Sequence, residues 1–445
     1  MKQTIKLSDD FTYVRLLRFT LPSIAMMIFT SIYSVVDGIF VSNYVGQTPF
    51  AALNLIMPFI MIFSAVGLMF GTGGSALIAF ILGTGDKKKA NEIFSLIIYL
   101  LIGIGIVIMI LGISLAEPAA IALGASDAML PYCVLYARIC FIGSVPFALQ
   151  YAFQSLFITA EKPRLGLYVT VAAGLTNIFL DWLLVGVLKI GLAGAAIATV
   201  IGMAVGGLLP LIYFAIPNSS ALRLGRTKWY GKELLKAATN GASEFMSNIS
   251  MSVVNMLYNF QLMKYAGEAG VSAYGIIMYT NFIFIGCFFG YSMGVAPIVG
   301  FNHGSGNHSQ LQNIFKKSLK LILGSSLVIT AVSILMARIM AMIFASQDTA
   351  LMEMTTTAIR IYSVSYIFAG VNLFGSSFFT ALNNGKISAL ISFMRTLVMQ
   401  VLFVTLLPIL MGINGIWLSI VLAELCAMAI TAFCLVKYKE RYKYA

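Results

Sequence analysis

The sequence predicts an all-α integral membrane protein: twelve transmembrane helices in two six-helix bundles, related by a pseudo-twofold axis along the membrane normal. Three observations lead there. Of 445 residues, 60% are hydrophobic and only 10% charged, where a soluble domain carries roughly 25% charged residues. Apolar runs of 20 or more residues recur from Leu16 to Val436, each long enough to cross a hydrocarbon core of about 30 Å. Finally, the chain repeats itself at one offset. This composition excludes a disordered chain, a disulfide scaffold, a coiled coil and a cytosolic enzyme.

Taken in order, the spans fall near 16–41, 51–81, 93–116, 131–159, 165–188, 190–216, 235–263, 272–301, 314–345, 356–382, 387–410 and 413–436. The polar, acidic residues 1–10 and the length of the first run argue against a cleaved signal, so 16–41 is expected to be retained. The runs are continuous rather than alternating, which rules against barrel strands. The five cysteines lie inside apolar runs with no CxxC pair and are expected to be small core residues. His303 and His308 share one short segment without a third ligand type, so a solvated loop is expected there and no metal site.

Orientation follows from lysine and arginine, which short cytoplasmic loops retain. Of the 28 basic residues, 22 fall on one alternate set of segments: the N-terminal stretch with Lys2, the loops at 87–89, 162–164, 223–236, 316–320 and 386, and the tail. Only Lys189 and Lys264 occupy the other set, and Arg138, Arg338, Arg360 and Arg395 lie within spans. That split places both termini in the cytoplasm of a multi-pass plasma-membrane protein. It also explains the net charge of +12 through topology and contact with anionic lipid, without a nucleic-acid partner.

At an offset of 221 residues, Gly46 meets Gly267, Phe80-x-x-Gly83-x-Gly85 meets Phe301-x-x-Gly304-x-Gly306, and Gly191-x-x-Gly194 meets Gly412-x-x-Gly415. Shared turn motifs at one offset mark a duplication. The organisation expected is an N-terminal bundle at 1–216, a basic cytoplasmic linker at 217–236 and a C-terminal bundle at 237–445. An even number of spans per copy gives both copies one orientation and leaves a cleft between them, where transporters of this design bind substrate.

Ionisable groups in the hydrocarbon region are costly and mark function by default. Asp37 stands 19 residues beyond Arg18 and Asp181 stands 17 beyond Arg164, about 28 and 25 Å along straight helices. They therefore share a depth. Asn177 and Tyr33 lie one turn below them on the same faces, which suggests an oxygen-lined pocket suited to a sodium ion or a proton. The second copy has no such pair: Leu402 stands opposite Asp181, and Asn255 opposite Asp37 after a short shift that aligns Ser-Val-Val-Asp with Ser-Val-Val-Asn. There, Glu244 and Arg395 stand about 12 and 13 Å above Lys236 and Lys386, so a buried ion pair between them is geometrically possible, and Glu424 has no evident partner. These four residues are the candidate substrate contacts. Pro22, Pro58, Pro146 and Pro297 lie inside spans, where a missing N–H kinks a helix, and Pro22 is a candidate hinge for the Asp37 helix. Gly71-Thr72-Gly73-Gly74 is expected to allow close helix contact. No nucleotide, metalloprotease or hydrolase motif is present, and neither an enzyme nor a passive channel is expected.

Ser34-Val-Val-Asp37-Gly-Ile-Phe, Asn177-x-x-x-Asp181, the pair Gly191 and Gly194, and Pro297-Ile-Val-Gly-Phe-Asn302-His-Gly304 resemble the multidrug and toxic compound extrusion (MATE) family. The resemblance covers essentially the whole chain. It implies export of amphipathic organic cations in exchange for Na+ or H+, with no cofactor beyond the coupling ion. It also implies a cation site at Asp37, Tyr33, Asn177, Asp181 and Thr199, with Gln154 where some relatives carry asparagine. If the ion is Na+, its ligands are expected to be Asp37, Asn177, Asp181 and Thr199. One chain supplies both halves of the cleft, so a monomer is expected. A flippase or exporter of lipid-linked oligosaccharide or another polar lipid is the alternative reading, and it would call for several arginines facing the cleft.

Overall fold

A computed structural model describes residues 5–345 and 348–445, so Lys2 of the basic N-terminal set lies outside the described residues. Fourteen α-helices account for nearly all of the described chain: α1 (Tyr13–Tyr44), α2 (Gln47–Gly83), α3 (Lys87–Ala122), α4 (Leu130–Ile142), α5 (Ser144–Thr159), α6 (Pro163–Asp181) and α7 (Leu192–Ala215), then α8 (Gly231–Gly304), α9 (His308–Ala345), α10 (Thr349–Ser363), α11 (Tyr366–Ala381), α12 (Gly385–Phe393), α13 (Met399–Met411) and α14 (Ile413–Tyr442). Helices satisfy every interior backbone group within the segment, which lipid demands. Their starts at the basic end are capped by side chains that accept from backbone N–H groups: Thr12 from Arg15, Asp86 from Lys89 and Asn384 from Ile387.

Nine helices among the described residues are long and apolar enough to span a membrane, and two bent pairs, α4–α5 at 61° and α10–α11 at 47°, make eleven. The twelfth is inside α8, whose 74 residues break at Gly267, with φ 62° and ψ −152°. Only glycine tolerates that conformation. Its repeat partner Gly46 makes the turn between α1 and α2 with φ 96°. The α4–α5 break falls at Gly143, one turn before Pro146, whereas α1 runs unbroken through Pro22.

The repeat is visible in the contact between bundles. A Cβ on Gly83 would collide with the Phe301 carbonyl, and one on Gly304 with the Phe80 carbonyl. These four positions are the repeated Phe-x-x-Gly motif, so α2 and the second half of α8 cross backbone to backbone at a self-complementary point, as a twofold axis requires. The same pattern continues along the helices: Gly73 abuts Ala237 and Gly241, and Gly294 abuts Thr20. Contact reaches as far as Ser31, whose hydroxyl donates to the Phe282 carbonyl at 3.1 Å. Nearer the opposite end, a Cβ placed on Gly38, Gly267 or Gly275 would meet nothing within 4 Å, and one on Gly46 would meet only Pro49 of its own turn. The bundles therefore close at the basic end and part toward the other. Within the first bundle, Gly71 abuts Ala152 of α5 and Gly74 abuts Ile97 of α3. The 221-residue register is not gapless throughout, because the helix caps at Ala160 and Leu382, and at Lys162 and Asn384, stand 222 apart.

Straps reinforce the closed end. The Leu7 amide donates to the Glu161 carboxylate at 2.8 Å, while Gln310 donates to Asp10 and Lys317 donates to the Phe11 carbonyl, both at 2.7 Å. The segment before α1 thus ties the two bundles together. Residues 217–230 lie along α3, with the Arg223 amide donating to Asn91 and the Gly225 amide to Ser95, and residues 231–236 form the first turns of α8. His303 and His308 do not sit in a solvated loop. His303 lies in the last turn of α8 with its ring between Phe80 and Tyr442, at 5.4 and 5.5 Å, and His308 begins α9.

Gly241→Ala places a methyl group against the Met69 carbonyl and is expected to lower stability by about 1–3 kcal/mol. Gly275→Ala meets nothing and should leave the thermal midpoint in detergent unchanged or slightly raised. Equal midpoints for both variants would overturn the assignment of the bundle contact.

Candidate functional site

Two clusters of buried polar groups stand out, one in each bundle. In the first, α1 and α6 bring Asp37 and Asp181 within interaction range of each other, with Asn177 beside them. The shared depth read from sequence is therefore met by real proximity. Both oxygens of Asp181, one of Asp37, the Asn177 carbonyl oxygen and the Thr199 hydroxyl are buried without a partner in hydrogen-bonding geometry among the described residues. Buried polar atoms are nearly always paired. Such a set of oxygens, rich in acid, has the donor chemistry that a cation or a shared proton requires.

Small residues make that approach possible. A Cβ on Gly174 would stand 2.8 Å from the Tyr33 ring, and one on Gly202 would stand 2.9 Å from the Asn177 Cβ. These two glycines let α1 and α7 close on α6 around the acids. Asp181 is the last residue of α6, and the chain then widens into a π-helical turn, Trp182–Val187, a device often found at functional positions.

Two residues enter the site that the sequence did not single out. Tyr136 of α4 is buried near Thr199 and Asp37. Gln150 of α5 is buried near Tyr33, its amide oxygen without a partner in hydrogen-bonding geometry among the described residues. Gln154 is buried one turn further along α5. Tyr136 and Gln150 sit on apolar stretches whose orientation depends on the α4–α5 bend, so no sequence periodicity announced them.

The second cluster lines a cavity of about 250 Å³ walled wholly by the C-terminal bundle, including Glu244, Asn255, Arg395 and Glu424. The four candidate substrate contacts thus share one space. Its ion pair is Arg395 with Glu424, not the Glu244–Arg395 pair that helix spacing allowed. The Arg395 Nε donates to both Glu424 oxygens, at 2.8 and 2.9 Å, and Asn372 donates to Glu424 at 2.7 Å. Helix spacing put Glu244 and Arg395 at equal heights. A second π-helical turn, Met394–Val398, contains Arg395 and directs it to α14 instead. Glu244 has no hydrogen bond or ion pair of its side chain among the described residues, although the Arg395 charge acts on it. It also lines a smaller gap shared with Thr72, Ser75 and Ser155 of the first bundle, so it stands where the cavity meets the cleft. Asn255 accepts from the Tyr274 hydroxyl at 2.8 Å, and the rings of Tyr258 and Tyr274 stack at 5.1 Å. Arg138, Arg338 and Arg360 are exposed on the outer surface.

Comparison with known proteins agrees with this architecture. The family model described as MatE matches residues 22–183 and again 245–406. The multidrug export protein MepA of Staphylococcus haemolyticus is 25% identical over 99% of this chain and 97% of its own. MepA of Staphylococcus aureus strain MRSA252 is 24% identical over 93% and 91%. Among solved structures, MATE in complex with MaL6 superposes with a TM-score of 0.94 at 22% identity. An outward-facing multidrug resistance MATE family transporter of the MOP superfamily superposes at 0.93 and 23%. Both cover 100% of each chain.

Unpartnered acids held together cost stability. The double variant Asp37→Asn, Asp181→Asn removes two potential charges from a desolvated site and is expected to be more stable than the parent at neutral pH, on the order of 1 kcal/mol. A clear fall in its thermal midpoint would show that the acids serve packing instead.

Proposed function

The chain belongs to the MatE family, and on that premise we propose that it is a multidrug efflux antiporter that exports amphipathic organic cations in exchange for Na+ or H+. The observation that supports this reading best is the separation of two unlike sites. The oxygen-only cluster at Asp37, Asn177, Asp181 and Thr199, with Tyr33 at its edge, lies in one bundle, and the roomy aromatic and acidic cavity lies in the other. An ion and a drug that prefer different states of one molecule can then exchange.

The basic end is the cytoplasmic side of the plasma membrane in this reading, with both termini there, and the bundles are parted toward the outside. Drug leaves from this state. Ion arrival at Asp37 and Asp181 neutralises the acids and biases α1, with Pro22 as the place where the helix bends. The bundles then rock about the Phe80–Gly83 and Phe301–Gly304 crossing to open inward. One chain carries both sites, so the monomer is the working unit. The protein acts as a transporter and not as an enzyme, and no cofactor enters beyond the coupling ion. The alternative, a flippase or exporter of lipid-linked oligosaccharide or another polar lipid, is less favoured, because the one in-span arginine that lines the cavity is paired with Glu424.

Reconstitution in liposomes with ethidium tests the proposal. Ethidium movement should follow an imposed Na+ or pH gradient, and Asp37→Asn should reduce it to the rate of empty liposomes while expression and folding persist. Full exchange by Asp37→Asn would sink the site assignment, and movement indifferent to every gradient would sink antiport.

A further inference from the structure

The charges of the C-terminal cavity add up unevenly. Its walls carry two acids, Glu244 and Glu424, and one base, Arg395. Glu424 is fully engaged: it accepts from the Arg395 Nε and from Asn372, whose own carbonyl accepts from the Thr431 hydroxyl at 2.9 Å. Its side chain is 3% exposed and that of Arg395 is 14% exposed, so this pair is a fixed, internally neutral part of the wall. Glu244 is the charge left over, its carboxylate without a hydrogen bond among the described residues and open to both the cavity and the gap between bundles. Around it stand the stacked rings of Tyr258 and Tyr274, whose hydroxyls are occupied by Gln400 and Asn255 at 2.9 and 2.8 Å. The walls available to a ligand are therefore aromatic, aliphatic and neutral polar surface plus one uncompensated carboxylate, a combination that favours cations.

We propose that Glu424 is a specificity-determining residue: by cancelling Arg395 it leaves the cavity one net negative charge, on Glu244, and so selects singly charged aromatic cations over zwitterions and anions of the same shape. The inference rests on the cavity being the drug site. Charge mismatch in a desolvated pocket is costly, and complementarity there decides which partner is accepted more than how tightly any partner is held. Without Glu424 the unshielded guanidinium would balance Glu244. The cavity would then be neutral overall but split in polarity, which suits a ligand carrying both an ammonium and a carboxylate.

A matched pair of dyes tests this. Rhodamine 123 is a monocationic ester, and rhodamine 110 has the same rings with a free carboxylate, a zwitterion at neutral pH. Binding of each to the purified full-length protein is read by fluorescence anisotropy. The parent is expected to prefer rhodamine 123, and Glu424→Gln should shift the affinity ratio toward rhodamine 110 by at least about tenfold. The double variant Arg395→Gln, Glu424→Gln removes both members of the buried pair and restores the net charge on Glu244 alone, so its ratio should return toward that of the parent. If Glu424→Gln does not fold, Glu244→Gln supplies the same neutral balance and must also lower the preference for rhodamine 123. An unchanged ratio in the neutral-balance variants, or a double variant that keeps the shifted ratio, overturns the role of Glu424. Failure of the parent to bind rhodamine 123 at all overturns the reading of the cavity as the drug site, and this inference with it.

Discussion

Everything else in this molecule is arranged around one backbone crossing. Phe80-x-x-Gly83 on α2 and Phe301-x-x-Gly304 on α8 meet each other's carbonyls with no room for a Cβ. Lipid offers no hydrophobic drive between helices, so their association depends on such close packing of small residues. Because the two motifs are copies of one another, the contact is reciprocal and fixes an axis. That axis sets which ends of the bundles touch and leaves the other ends apart. The strap from Leu7 to Phe11 and the ion pair of Lys89 with Glu233 at 2.9 Å add to a seal whose location the glycines determine.

Upon that symmetric frame the two halves carry opposite solutions to the same problem, a charged side chain on the fifth span of each repeat. Asp181 precedes one π-helical turn and Arg395 lies in the other. A π turn adds a residue to the helical circuit and re-aims the side chains beyond it. In the first bundle the acid meets a second acid and has no hydrogen-bond partner among the described residues, a costly state that an ion or proton would relieve in the proposed antiport. In the second, the Arg395 Nε meets Glu424. One half sets acid beside acid and the other sets an ion pair beside an open space, and this inequality between copies is what gives the protein two unlike clusters instead of two equivalent ones.

Much of this was legible in the sequence. Twelve spans, the duplication and the shared depth of Asp37 and Asp181 all derive from quantities that helix geometry transmits faithfully: length, period and rise per residue. Partner choice across helices does not. Glu244 and Arg395 stand at equal heights, but the partner of Arg395 depends on how far the π turn rotates it about its own axis, and no spacing rule records that rotation. Gln150 and Gln154 share one face of α5, a turn apart, and which of them lies level with Tyr33 depends on how deep the 61° bend between α4 and α5 sets that helix. His303 was misplaced because the composition of its segment suggested a loop, whereas Phe80 and Tyr442 enclose its ring at the end of a long helix.

The proposed coupling has a physical carrier in the same contacts. Helix α1 holds Asp37 near one end and packs Thr20 and Ile24 against Gly294 and Gly290 of α8 near the other. Helix α8 in turn carries Glu244 one turn beyond Gly241, which abuts Met69 of α2. A change in the direction of α1 therefore cannot be absorbed locally, because close-packed backbone has no soft side chains to yield. It must be taken up either at Pro22, where the helix lacks one hydrogen bond, or by sliding along α8. If the second happens, the axis crossing itself moves and the seal opens. In the proposed antiport, the small residues that make the closed end tight would also carry an event at Asp37 toward Glu244.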